Sequence, residues 1–148
     1  MTLFQRTPLL NITDSEQLRE SIHRYFHHTF NRYEQLFETL TCDEAYYKKP
    51  IPLRHPLIFY LGHTATFFIN KLILAGLISE RINPAFESMF AVGVDEMSWD
   101  DLSDSHYQWP TVQAVKDYRQ HVRIVVNNII SHTPLTSVID WDHPWWPI

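Results

Sequence analysis

Apolar residues recur at spacings of three and four in three long stretches of this chain, the signature of helices with one buried face. In the first, Leu18, Ile22, Tyr25, Phe26, Phe30, Tyr33, Leu36, Phe37 and Leu40 carry the pattern. Thr13 with Glu16 three residues later reads as a capping box, and Asp14 adds first-turn negative charge, so a helix is expected from there to about Thr41. The second stretch is HPLIFYLGHTATFFINKLILAGLI, His55–Ile78. Pro56 suits its first turn, where the missing N–H costs nothing. Counted from His63, the residues Tyr60, Phe67, Asn70, Lys71 and Leu74 share one helical face, which predicts that His63 points toward the core. The third helix spans Pro110–Ser131, with Val112, Val115, Tyr118, Val122, Val125 and Ile129 inward and Lys116, Arg119, Arg123 and Asn127 outward. The expected architecture is all-α, three helices on one core with no sheet.

Between these helices the pattern breaks. Pro50 and Pro52 make Asp43–Arg54 a connector, whose Tyr46 and Tyr47 are expected to pack back on the bundle. Ser79–Trp109 is a long irregular excursion with room for a short helix at Pro84–Phe90. Its Phe86, Met89, Phe90, Met97, Trp99, Leu102, Tyr107 and Trp109 indicate a packed segment. Its Asp95, Glu96, Asp100, Asp101 and Asp104 read first as solvated loop carboxylates and caps, and second as oxygen ligands for a hard cation. The tail from His132 carries three prolines and Trp141, Trp145 and Trp146. No repeat, low-complexity tract or second domain interrupts residues 1–148.

Composition narrows the function classes. A chain of 148 residues with 45% hydrophobic and 14% aromatic content can bury the core of one domain. The net charge is −5 and the basic residues are scattered, so a nucleic-acid track is excluded. Lys71, Asn70 and two threonines interrupt the apolar second helix, which therefore reads as a buried helix and not a membrane span. The single cysteine, Cys42, is expected half-buried at a helix end, excludes a Cys-based zinc cage, and fits a reducing cytoplasm. The first eleven residues hold too short an apolar run for a signal peptide.

The histidines are the candidate chemistry. A lone histidine on an apolar face, such as His63, is most often a hydrogen-bonded core residue; the other reading is a metal ligand or acid–base group. His23 and His27, one turn apart, have the spacing that lets two imidazoles share a metal, although His28, Glu20, Arg24 and Asn31 mark that edge as partly wet. A site built from His63 with His23, His27 or His121 is a further possibility.

The strings LRHPLIFYLGHTATFFINKLILAGLI (Leu53–Ile78), INPAFESMFAVGVDEMSWDDL (Ile82–Leu102) and YQWPTVQAVKDYR (Tyr107–Arg119) resemble the N-terminal DinB-like domain of the 5-histidylcysteine sulfoxide synthases of ovothiol biosynthesis. These are non-haem iron enzymes related to the ergothioneine-forming sulfoxide synthases. The resemblance implies a four-helix DinB-like bundle whose Fe2+ is held by three histidines and joins the sulfur of cysteine to a ring carbon of histidine. The histidine of the family's LGHT motif matches His63, which the resemblance makes the first iron ligand. The other two ligands belong to an H-x-x-x-H pair on a fourth helix after a tryptophan-rich segment like WDHPWWPI. The sequence stops before that pair, so the expectation is an incomplete DinB-like domain, without the fourth helix or the C-terminal formylglycine-generating-enzyme-like domain, and inactive alone. By position, Arg81–Asp104 corresponds to the family's substrate-side segment, with no contacts assigned. The uncovered bundle face is expected to pair with a second copy as a homodimer. The rival expectation is a stand-alone dimeric DinB-like module without redox chemistry.

Overall fold

The computed structural model describes residues 6–11, 13–92, 107–135, 139–143 and 145–146. Its elements are α1 (Ser15–Phe37), α2 (Glu44–Tyr47), α3 (Leu57–Leu74), α4 (Pro84–Met89) and α5 (Val112–His132), with no strand among the described residues. The all-α expectation holds. Helix α3 is central: it packs most extensively on α5 and also holds α2 and α4, while α1 packs on α5.

The helix ends differ from the sequence expectation for local reasons. Asp14, not Thr13, is the N-cap of α1; its carboxylate accepts from the backbone N–H groups of Glu16 and Gln17 at 2.9 and 3.0 Å. At the other end α1 stops at Phe37, four residues early, because the Tyr46 hydroxyl donates to the Phe37 carbonyl at 3.0 Å. The short helix α2, unforeseen within the connector, delivers that tyrosine. Helix α3 ends before Ile78 because Gly76 takes φ +68°, with its own N–H bonded to Ile73 and that of Leu77 to Leu72, both at 3.0 Å. That is a Schellman stop, which needs a residue tolerant of the left-handed region. Thr111 caps α5, accepting from Ala114 N–H, and Asn83 caps α4, accepting from Phe86 N–H.

The core forms two neighbouring clusters. One joins Leu18, Phe26 and Phe30 of α1 to Ala65, Ile69 and Leu72 of α3 and to Tyr118, Val122, Val126 and Ile130 of α5. Leu135, Ile139 and Trp145 of the tail fold back onto it, Trp145 donating its indole N–H to the Pro134 carbonyl at 3.1 Å. The other joins Phe37 and Tyr46 to Ile58, Phe59, Leu61, Phe90, Val112 and Val115. Phe86 touches both, so the single expected core is two clusters with a shared aromatic.

Three facing assignments are corrected. The buried side of α3 is Ile58, Phe59, Leu61, Gly62, Ala65, Thr66, Ile69 and Leu72. The stripe through His63 is the rim: Phe67 is 39% exposed and Leu74 78%. Arg119, expected outward, is only 1% exposed, and Leu36, expected inward, is exposed. Cys42 is exposed as well, not half-buried. Helix α3 is long and apolar enough to cross a membrane by length and composition. Here α2, α4 and α5 pack on it. The acidic residues Asp95, Glu96, Asp100, Asp101 and Asp104, together with Met97, Trp99 and Leu102, lie outside the described residues.

Candidate functional site

His63 sits where α3 meets the end of α4, and local sequence dictates that meeting. Asn83 and Pro84 start α4, six residues later it ends, and its C-cap residue Phe90 is wholly buried against α3. Gly62 makes the approach possible: a Cβ there would stand 2.5 Å from Cδ2 of the Phe90 ring, inside any real carbon–carbon contact. The Phe90 carbonyl is thereby brought 2.7 Å from His63 Nδ1. A carbonyl only accepts, so Nδ1 carries the proton and donates. In the neutral ring the lone pair is then on Nε2. Phe59 stacks on the imidazole at 5.4 Å and 11°, and Phe67 meets it edgewise at 6.4 Å. The ring is half-buried, with Phe59 stacked against one face.

This is the arrangement by which proteins orient a metal-binding imidazole: one N–H anchored on a backbone carbonyl, the other nitrogen left as ligand. It supplies one ligand. Among the described residues no three His, Cys, Asp or Glu side chains stand together as a metal cage. A complete iron site is therefore not assembled from the described residues alone.

The other histidine pair is organised for a different purpose. His23 and His27 pack edge to face at 4.5 Å, and each Nε2 reaches the same oxygen, Asn127 Oδ1, at 2.8 and 2.9 Å. Arg123 Nε donates to His27 Nδ1 at 3.0 Å, which places the lone pair of His27 on Nδ1 and the proton on Nε2. Both Nε2 atoms thus face an acceptor as donors, so the pair clasps Asn127 across α1 and α5 and does not converge on a metal. His121 is exposed on α5. The combined site of His63 with His23, His27 or His121 is not brought together.

Sequence reasoning missed a polar cluster inside the bundle. Arg119 lies inside the bundle, donating from Nε to Glu34 at 3.2 Å and from Nη1 to the Leu61 carbonyl at 2.7 Å and Thr64 Oγ1 at 2.8 Å. Its guanidinium also lies 4.4 Å from the Phe30 ring centroid and 5.2 Å from that of Tyr33. Burial pushes the guanidinium below its usual range, and the Glu34 carboxylate opposes that shift. Tyr33, whose hydroxyl donates to the Tyr60 carbonyl at 2.7 Å, has its phenol raised by burial. A cavity of about 180 Å3 between α1 and α3 opens above this group, lined by Thr29, Phe30, Tyr33, Thr64, Phe68 and Arg119. A signal existed in the sequence: Arg119 lies four residues after Val115 and three before Val122, within the buried stripe.

Comparison with known proteins agrees with this architecture. The DinB superfamily model matches residues 25–144, the span that holds nearly all of the bundle. Ergothioneine biosynthesis protein 1 of Neurospora crassa is 30% identical over 94 residues, which cover 60% of this chain but only 11% of that protein. The helices that present His63 and bury Arg119 are those of a known superfamily, and the chain belongs to it: this is a DinB-superfamily protein.

Proposed function

We propose that this chain is the DinB-like part of a non-haem-iron, oxygen-dependent sulfoxide synthase, an oxidoreductase in which His63 Nε2 is one iron ligand. The bond from His63 Nδ1–H to the Phe90 carbonyl carries the reading, because it fixes the tautomer a metal needs. The partial likeness to a protein of ergothioneine biosynthesis supports it. Two further histidines, from a fourth helix of the longer enzyme, would complete a three-histidine set with open positions. Iron bound there would supply the oxygen chemistry that joins the sulfur of cysteine to histidine on the route to ovothiol. This chain's own part is positioning: Phe90 holds the proton on Nδ1, Phe59 covers one ring face, and Gly62 admits Phe90. The setting proposed is cytoplasmic.

We also propose that the 148-residue chain pairs with a second copy through the tryptophan tail, where Trp141 and Trp146 leave apolar surface uncovered. Elemental analysis tests the main reading. A longer in-frame version should carry about one iron per chain, lost on His63→Ala, and should form the sulfoxide from cysteine and histidine. The 148-residue chain alone should carry none at stoichiometric level. Stoichiometric iron in the short chain, removed by His63→Ala, would show the site to be complete without further histidines. A well-behaved monomer by light scattering at micromolar concentration would rule out the pairing.

A further inference from the structure

A cavity of about 480 Å3 opens beside α4, along the C-terminal half of α3. Its volume lies within the range of small-molecule sites, about 300–1,000 Å3. Arg81 is held at its wall from one side only. Its Nη1 donates to Asn70 Oδ1 at 2.8 Å and to Glu87 Oε2 at 3.0 Å, which uses both protons of that nitrogen. Glu87 is itself buried, and its other oxygen accepts from the backbone N–H groups of Ile82 and Asn83, each at 2.9 Å. The clamp therefore cannot swing away without stranding a buried carboxylate.

What remains of the guanidinium is its best edge. Among the described residues Nε and Nη2 of Arg81 have no hydrogen-bond partner, and the side chain is 41% exposed. These two nitrogens present parallel N–H groups, the two-donor fork that matches a carboxylate. Lys71 lines the same cavity, with its Nζ 5.1 Å from the Phe67 ring centroid and no carboxylate partner among the described residues. Glu87 offsets the charge of Arg81, so Lys71 leaves the cavity net cationic. Ile73, Leu74, Pro84 and Val92 supply apolar wall beside the two cations.

We propose that this cavity binds a small organic monocarboxylate, its carboxylate on the Nε–Nη2 edge of Arg81 with Lys71 beside it and its carbon body on the apolar wall. That wall favours an organic acid over inorganic phosphate, which the same fork could otherwise accept. The site goes beyond the iron reading and does not depend on it. Lys71 lies eight residues past His63, about 12 Å along the helix axis, and nothing in the cavity requires a metal.

The test uses the 148-residue chain, with isobutyrate as probe, isobutyramide as its neutral isostere and ionic strength held constant. Isobutyrate should shift the Arg81 Nε–H resonance saturably, and isobutyramide should not. Lys71→Met, which keeps the stem over Phe67, should weaken binding about ten-fold. Arg81→Lys, which keeps a cation beside Glu87 but removes the fork, should weaken it at least as much. Should Arg81→Lys fail to fold by circular dichroism, Lys71→Met decides. An equal response to isobutyramide, binding unchanged by Lys71→Met, tighter binding of inorganic phosphate, or no saturable shift would each overturn the assignment.

Discussion

The two sides of this bundle use histidine in opposite ways. On the α1–α5 seam, His27 uses both ring nitrogens inside the protein, donating to Asn127 and accepting from Arg123, with His23 on the same oxygen. At the α3–α4 corner, His63 uses one nitrogen on the Phe90 carbonyl, and among the described residues the other has no hydrogen-bond partner. Spacing alone favoured the seam, since His23 and His27 stand one turn apart. Geometry favours the corner. A ligand needs a free lone pair more than it needs a neighbouring imidazole, and only the pattern of acceptors and donors around each ring reveals which has one.

The sharpest way to break this contrast is to disturb the seam at its charge. Glu34→Gln would leave the Arg119 guanidinium buried without its carboxylate. The expected cost is about 3 kcal/mol, at the low end for a buried pair because Glu34 is partly exposed; urea unfolding would measure it. A value below about 1 kcal/mol would mean that Leu61, Thr64 and the rings of Phe30 and Tyr33 hold Arg119 without it.

Next in size, Gly62→Ala should cost about 2 kcal/mol by forcing the Phe90 ring aside. It should also lengthen the bond from His63 Nδ1 to Phe90, seen as a loss of protection of that imidazole proton in NMR. Replacing the histidines themselves sharpens the comparison further. His27→Ala strands partners on two sides and should cost about 2 kcal/mol, whereas His63→Ala should cost about 1 kcal/mol. Equal costs would remove the distinction between a structural and an available imidazole.

At neutral pH the smallest effect belongs to the buried phenols. Burial raises Tyr118 well above the usual phenol range, and it raises Tyr33 as well. A raised acid keeps its proton longer in the folded chain than in the unfolded one. Its stabilising contribution is therefore complete below the unfolded value of 10.0 and is lost as pH rises beyond it. Unfolding measured from about pH 8 to 11 should show stability falling above 10, and Tyr118→Phe should flatten that fall while changing little at pH 7.

Helix identity was legible from the sequence because a helix needs only a repeated apolar spacing and local caps, and both are written in consecutive residues. The start of α4 at Pro84 is of that kind, as is the membership of His63 in α3, whereas α1 and α3 end short of the expected Thr41 and Ile78. Rotation and partnership were not legible. The stripe through His63 and Leu74 looked like a core face because apolar residues fill it, yet α5 packs on the neighbouring face of Ile58, Leu61, Ala65 and Ile69. Which of two apolar faces is covered depends on where other helices stand. Arg119 was misplaced for the same reason: its spacing put it in the stripe, but only the arrival of Glu34 from 85 residues away makes a buried guanidinium tolerable. The Phe90 carbonyl that fixes the tautomer of His63 is a backbone atom 27 residues distant and has no side-chain signature at all. The sequence by itself determined which long segments are helices, about where each begins, and that a histidine stands on the central one. The tertiary structure alone decided which nitrogen of that histidine is left to bind, because that depends on contacts between segments.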